Sequence, residues 1–324
     1  MEADRLDNDD ATSITTSSTD DSTSLASTVR SYTYENGRRY HAFRRGSYAL
    51  PNDDVEQDRL DLHHHVFRLT LSGALFRAPM TGQTVQRALD MGTGTGKWAL
   101  DLADEFPDAT VVGVDLSPIQ PTWVPPNTQF YIDDLESDWV YDDEDDKFDF
   151  IHGRGLAGSI GDGAKLYAQA YANLKPGGWI EVQEYEGRLA SDDGSLERAP
   201  FLKRWEAVMD EASSKFGKRF DVAGQQKRFL EDAGFVDVRD DVYKVPIGMW
   251  PKDSKLKELG RFQREQMVLC VEPFTLALLT RVLCWSNVET QALMNGVQKE
   301  LRDSSLHTYS RFHFVYGKRP EVGQ

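Results

Sequence analysis

Three closely spaced glycines follow an apolar run: Gly92, Gly94 and Gly96, with Asp90 two residues ahead of the first. A second apolar run ends in Asp115, at roughly the 20-residue spacing typical of nucleotide-binding folds. Glycines let the backbone approach a bound group closely, and a carboxylate at the next strand tip can accept hydrogen bonds from both ribose hydroxyls. The pattern therefore favours a site for a nucleoside-bearing cofactor over an ordinary strand-to-helix turn.

The spacing of the glycines distinguishes between cofactors. A dinucleotide loop, G-x-G-x-x-G, requires its third glycine at position 97, which is Lys97. The observed G-x-G-x-G with Asp90 ahead of it instead resembles motif I of class I S-adenosylmethionine (SAM) methyltransferases. In that family the loop packs against the methionine moiety and the ribose, so SAM is the cofactor that the resemblance implies.

Further candidate residues follow two later strands. In the methyltransferases an acid after strand three accepts from the adenine amine; Asp134 matches best and Asp133 is the alternative, unless both only open an acidic loop. After strand four, His152 and Arg154 can face the cofactor or the substrate, or can be a packed histidine and a surface arginine. A methyl acceptor with a hydroxyl benefits from a general base. The candidates are His152, at the end of strand four, and Glu184, Tyr185 and Glu186, near the end of strand five.

Apolar periodicity supplies the elements that position these residues. Strand and helix patterns alternate, which predicts a Rossmann-like α/β fold with a mostly parallel sheet, seven-stranded in this class, and helices on both faces. Predicted strands cover 85–91, 110–115, 129–132, 148–152, 179–184, 236–245 and 311–316. Predicted helices cover 53–78, stopped by Pro79, then 97–105, 164–174, 200–216 and 222–233, and a helical insertion covers about 254–303, before the last strand.

The pattern divides the chain into a disordered, Asp/Ser/Thr-rich tail (1–31), a helical cap or lid (32–80) and the cofactor-binding domain (81–324). The cap helix contains His63, His64 and His65. Adjacent helical positions point about 100° apart, so this run is not expected to hold a metal.

Bulk composition restricts the partners and the compartment. Fifty-three acids against 37 bases give a formal net charge of −16, which argues against broad nucleic-acid binding. The two cysteines, Cys270 and Cys284, do not make a disulfide framework, and no signal peptide or membrane span is visible. We therefore expect an intracellular protein, cytoplasmic or nuclear, without a membrane partner.

Over 32–320 the chain resembles the fungal methyltransferases related to LaeA, a regulator of secondary metabolism. The segments that carry the resemblance are LDMGTGTGKWA (89–99), FDFIH (148–152), LYAQAY (166–171), LKPGGWIE (174–181), YENGRRY (34–40) and DRLD (58–61). Two positions depart from the group, Lys97 and the glycine-rich Gly153-Arg154-Gly155. The resemblance implies a lid over 32–48 and cofactor contacts from Asp90, Gly92, Gly94, Gly96, Asp115 and Asp134. Further candidates for cofactor contact are Tyr34, Thr93, Leu116, Asp133 and His152.

The sequence thus predicts a SAM-dependent methyltransferase that acts on a small molecule, such as a secondary metabolite or peptide, or on a protein. A SAM-binding regulatory protein that acts through protein contacts is the alternative. A nicotinamide-dependent oxidoreductase is disfavoured by Lys97, and an RNA methyltransferase by the acidic charge.

Overall fold

The structure is a computed structural model that describes residues 32–41, 43, 44, 46–80, 84–141, 143 and 146–321. The tail predicted for 1–31 lies outside the described residues. None of the helices in the described part of the chain combines the length and apolarity that a membrane crossing requires.

Two short strands form an N-terminal hairpin, and eight further strands form the central sheet. The strands are β1 (Thr33–Glu35), β2 (Arg38–Tyr40), β3 (Arg87–Met91), β4 (Thr110–Asp115), β5 (Thr128–Ile132), β6 (Phe148–Arg154), β7 (Leu174–Tyr185), β8 (Ala190–Ser191), β9 (Val236–Pro246) and β10 (Thr308–Lys318). The α-helices are α1 (Asp54–Thr70), α2 (Lys97–Glu105), α3 (Gly163–Asn173), α4 (Pro200–Phe216), α5 (Gln226–Asp232), α6 (Ser254–Ala277) and α7 (Asn287–Leu301). Short 3-10 turns cover Ser195–Arg198 and Ala223–Gln225, and a π-helical turn covers Leu278–Val282.

The sheet confirms the predicted class. Strands β5, β4, β3, β6 and β7 lie side by side and parallel, and β10 runs antiparallel between β7 and β9. The two-residue β8, which the sequence did not predict, pairs with the start of β10. Since β3, β4 and β6 are parallel neighbours, their carboxyl ends and the residues after them meet at one edge of the sheet, where ligands of such folds bind.

Helices cover both faces of the sheet. Trp98 and Leu102 of α2 pack with Phe150 on one side, and Leu166 of α3 packs with Ile151 on the other. The predicted helical insertion is present as α6, the π-turn and α7, between β9 and β10. It packs against α4 in a separate apolar cluster that includes residues such as Trp205, Met209, Met267 and Leu293.

The first helix is shorter than predicted. Asp53 caps its start as expected, accepting a hydrogen bond from the Glu56 backbone N–H at 3.1 Å. However, α1 ends at Thr70 and not at Ala78, because Ser72 and Gly73 take positive φ values of 56° and 99°. The Gly73 N–H bonds back to the Arg68 carbonyl at 2.7 Å, a left-handed helix ending that glycine permits. Pro79 therefore does not stop this helix.

Candidate functional site

The loop after β3 requires its glycines. Gly92, Gly94 and Gly96 have φ values of +65°, +57° and +80°, a left-handed conformation that other residues adopt with strain. Gly96 is also the N-cap of α2, and a Cβ there would lie 2.5 Å from the Phe130 ring. The loop is therefore tight, and it is tied to β4, since the Thr93 N–H donates to the Val114 carbonyl at 3.0 Å.

Asp115 joins the end of β4 to this loop. One carboxylate oxygen accepts from the Gly94 N–H at 2.8 Å and the other from the Ser117 N–H at 2.9 Å. Each carboxylate oxygen can accept more than one hydrogen bond, so both retain capacity for a ligand. Burial raises the pKa of Asp115 to about 6, which leaves the carboxylate ionised at neutral pH.

Two adjoining cavities lie against the loop. The first, here the acid cavity, is lined by Gly92, Gly94 and the acids Glu56, Asp115, Asp133 and Asp134, together with Leu116; its volume is about 800 Å³, part of it open to solvent. The second, the arginine cavity, is lined by Arg59, Arg154, Asp90, Thr93 and His152; its volume is about 630 Å³, also partly open to solvent. Gly92, Gly94, Tyr48 and Arg154 line both, so the two cavities form one continuous cleft.

The two acids after β5 differ in exposure. The Asp134 side chain is 19% exposed, accepts from the Glu136 N–H at 3.0 Å and lies 3.4 Å from the Arg44 guanidinium. Asp133 is exposed, and its carboxylate accepts from the Asp134 N–H at 2.7 Å. Both line the acid cavity, and Asp134 is the less exposed of the pair.

Asp90 and His152 contact each other within the arginine cavity. The buried His152 donates from Nδ1 to Asp90 at 2.8 Å, and its ring stacks on Trp98 at 3.6 Å. The other Asp90 oxygen accepts from the Thr93 hydroxyl at 2.6 Å. Burial lowers the pKa of His152, so its imidazole is neutral.

An arginine on α1 lines the cleft and is a candidate site residue that the sequence did not indicate. Arg59 is paired with Glu56 by hydrogen bonds of 3.0 and 2.7 Å, and both side chains are almost fully buried. Its Nη1 faces no hydrogen-bond partner among the described residues. The Glu-x-x-Arg spacing was the available signal, but such a pair is more often a surface contact.

The second arginine is held differently. Arg154 donates to His64 Nδ1 at 2.9 Å, and His64 Nε2 donates in turn to Asp101 at 3.0 Å. Burial lowers the pKa of Arg154 to about 10, still a cation at neutral pH. Cationic Arg154 therefore stays directed into the cleft by a fixed chain of contacts.

The candidate bases at the end of β7 have different surroundings. Glu184 is fully buried, lines neither the acid cavity nor the arginine cavity, and accepts from the Leu156 and Ala157 N–H groups at 2.6 and 3.1 Å. Burial raises its pKa to about 8. Tyr185 lines the arginine cavity, whereas Glu186 lies outside the cleft, paired with Arg311 at 2.9 Å. Among these three, only Tyr185 reaches the cleft.

Only part of the predicted lid, 32–48, lies at the cleft. Tyr48 lines both cavities. Tyr34, on the β1–β2 hairpin, is 75% exposed and is not placed at either cavity. The hairpin instead contacts the helical insertion, where Arg281 pairs with Glu35 at 2.6 Å.

The histidine run has separate surroundings for each ring. His63 packs edge-on against Tyr185 at 5.2 Å, His64 contacts Asp101, and His65 packs against Phe262 at 4.6 Å. No group of three or more potential metal ligands occurs among the described residues.

This fold, with a glycine loop after β3 and an acid at the end of β4, defines a class I SAM-dependent methyltransferase. A family model described as a methyltransferase domain matches residues 62–239. Methyltransferase pytC of Aspergillus terreus is 43% identical over 312 residues, which are 96% of this chain and 94% of that protein. Secondary metabolism regulator LAE1 of Cochliobolus heterostrophus is 37% identical over 292 residues, 89% and 94% of the two chains. Protein-methionine methyltransferase laeA of Emericella nidulans is 35% identical over 289 residues, 88% and 76%.

The chain therefore belongs to the LaeA-like family of fungal SAM-dependent methyltransferases, as its motifs predicted. Its cofactor is S-adenosylmethionine, and its partner in the reaction is a methyl acceptor.

Proposed function

We propose that the acid cavity holds the adenosine part of SAM and the arginine cavity its methionine part. The donors of adenosine, two ribose hydroxyls and an amine, match the acceptors Asp115 and Asp134. The methionine carboxylate matches Arg59 and Arg154. The observation that carries this proposal is the buried Arg59 Nη1, which lacks a partner among the described residues although it lines the cleft.

The chain's own residues then have distinct roles. Asp115 orients the ribose, and the glycine loop lets the backbone come close to it. Glu56 holds Arg59 in position, and α1 closes the cleft as part of the proposed cap, 32–80. When bound, SAM supplies an electrophilic methyl group, and alignment of donor and acceptor provides much of the catalysis.

We propose that the acceptor is a small molecule and that its methylation serves fungal secondary metabolism. The name of pytC, a methyltransferase that matches almost the whole chain, supports an enzymatic role. The name of LAE1, a secondary metabolism regulator, supports the regulatory protein as a second candidate. An intracellular location, cytoplasmic or nuclear, is supported by the free thiols of Cys270 and Cys284.

The carboxylate contact can be tested by calorimetric titration with SAM and with 5′-methylthioadenosine, which lacks the amino-acid part. In Glu56→Gln/Arg59→Gln, which leaves no unpaired buried charge, we expect SAM affinity to fall about tenfold or more, since a charge-assisted contact is lost. Methylthioadenosine affinity should fall by less than SAM affinity, because this ligand lacks the carboxylate that Arg59 would contact.

A matched control is Glu211→Gln/Lys215→Gln, which neutralises an exposed pair on α4 and should change neither affinity. Equal weakening of both ligands in the cleft variant would contradict the role of Arg59. Failure of the unmodified protein to bind either ligand would contradict the placement of the cofactor.

A further inference from the structure

A third cavity, the apolar cavity, lies between the end of β7 and helices α4 and α6. The space between these elements is about 560 Å³, part of which is open to solvent. Its walls are largely aromatic and sulfur-containing side chains, including Tyr185, Trp205, Met209, Phe220, Met267 and Phe274. Flat aromatic walls of this kind favour a ring-containing ligand.

The apolar cavity adjoins the cofactor cleft. Tyr185 and Phe274 line both the apolar cavity and the arginine cavity. Phe274 also lies under the Arg59 guanidinium, whose Cζ is 5.5 Å from the ring centroid. A molecule in the apolar cavity would therefore reach the methionine side of the cleft past these two rings.

The charges around the apolar cavity exclude one class of ligand. Its lining contains the carboxyl groups of Glu186 and Glu206 and no lysine, arginine or histidine among the described residues. Glu186 is already paired with Arg311, and Glu206 accepts from the Leu189 N–H at 2.6 Å. A phosphate or carboxylate would be desolvated here beside acids and without a cation, which is costly.

We propose that the apolar cavity binds the methyl acceptor, and that this acceptor is an aromatic small molecule without an anionic group. Its nucleophilic hydroxyl or amine lies between Tyr185 and Phe274, where the cavity meets the cleft. This inference rests on the proposed placement of the cofactor, because the direction of approach depends on it.

Two ring-matched probes test the inference: 2-naphthol, and 6-hydroxy-2-naphthoic acid, which adds a carboxylate. Each is titrated calorimetrically into the full chain saturated with S-adenosylhomocysteine. We expect 2-naphthol to bind about tenfold or more tightly than the acid, because the carboxylate meets no cation. Met209→Trp fills the cavity and should lower the affinity for 2-naphthol about tenfold or more. Its SAM affinity should stay within about twofold of that of the unmodified protein.

Two further variants keep the test decisive. Leu256→Trp, on the exposed side of α6, is the matched control and should change the affinity for neither 2-naphthol nor SAM. Glu206→Lys supplies a cation and should raise the affinity for the naphthoic acid relative to naphthol, a gain that misfolding does not produce.

Binding of SAM without binding of 2-naphthol would overturn this inference and leave the cofactor placement intact. Equal affinities for the two probes, or unchanged naphthol binding in Met209→Trp, would overturn it as well. Absence of SAM binding would instead contradict the proposed function itself.

Discussion

Asp90 and His152 are neighbours across two parallel strands, paired in register and joined by a hydrogen bond of 2.8 Å from His152 Nδ1. His152 also lies flat against Trp98, with 4° between the ring planes. Because Asp90 also accepts from Thr93, this pair connects β6 to the glycine loop. The contacts favour a positioning role for His152 over that of a general base.

Replacing His152 by Gln should therefore lower both the stability of the protein and its affinity for SAM. The loss of a buried hydrogen bond and of ring stacking is expected to cost about 1–3 kcal/mol in the free energy of unfolding. Urea unfolding and SAM titration measure the two effects. Unchanged stability and SAM affinity, with methyl transfer abolished, would instead identify His152 as the base.

Gly96→Ala should cost more stability than Gly194→Ala. Both glycines are left-handed, at φ +80° and +72°, so both variants carry backbone strain of about 1–2 kcal/mol. Only at Gly96 would the new Cβ meet a ring, that of Phe130; at Gly194 nothing lies within 4 Å. Crowding should add about 1–3 kcal/mol to the Gly96 variant. Equal unfolding free energies for the two variants would show that the Phe130 ring moves away from the new methyl group without a cost in stability.

The raised pKa of Glu184 predicts that the stability of the protein depends on pH. Its folded-state pKa, about 8, lies above the usual 4.5, so the folded protein keeps a proton that the unfolded chain releases between these values. Stability should therefore fall as pH rises through this window, by at most about 1.4 kcal/mol per pH unit for one group.

Glu184→Gln should remove this contribution and reduce the loss of stability between about pH 5 and pH 8. Chemical denaturation across that range gives the comparison, with the exposed Glu211→Gln as the control that keeps the original slope. A Glu184→Gln slope identical to that of the unmodified protein would mean that Glu184 is ionised throughout.

The raised pKa of Asp115 predicts that cofactor binding depends on pH. Burial raises its pKa to about 6, and a protonated carboxyl accepts from the ribose hydroxyls less well. SAM affinity should hold at neutral pH and fall as pH decreases through about 6. Asp115→Asn should bind weakly and lose this dependence; a fall that persists in the variant would assign it to another group.

Local signals determined which elements were predictable. The bounds of α2, β4 and α4 match the prediction to the residue. The two helices have clear end signals, because Gly96 directly precedes α2, Pro200 is the first residue of α4 and Gly217 directly follows α4. The end of α1 was missed because a single Gly73 within an apolar pattern is a weaker signal than Pro79.

The glycine loop and the strand-end acids followed from spacing, since parallel strands bring their carboxyl ends together. The unpartnered Nη1 of Arg59 depends on which helix packs over the loop, a tertiary contact that spacing does not contain. The apolar cavity likewise forms only where α4 and α6 pack side by side, which the spacing of residues does not predict. The exposure of Tyr34 depends on where the β1–β2 hairpin packs, which is also a tertiary contact.

Calorimetric titration of the purified protein with SAM, repeated for Asp115→Ala and for the exposed control Asp108→Ala, tests the proposed cofactor site most directly. We expect micromolar binding by the unmodified protein and by the control. We expect a loss of about tenfold or more for Asp115→Ala, because the two charge-assisted hydrogen bonds proposed between Asp115 and the ribose could not form. Undiminished binding by Asp115→Ala would contradict the placement of the cofactor at the end of β4.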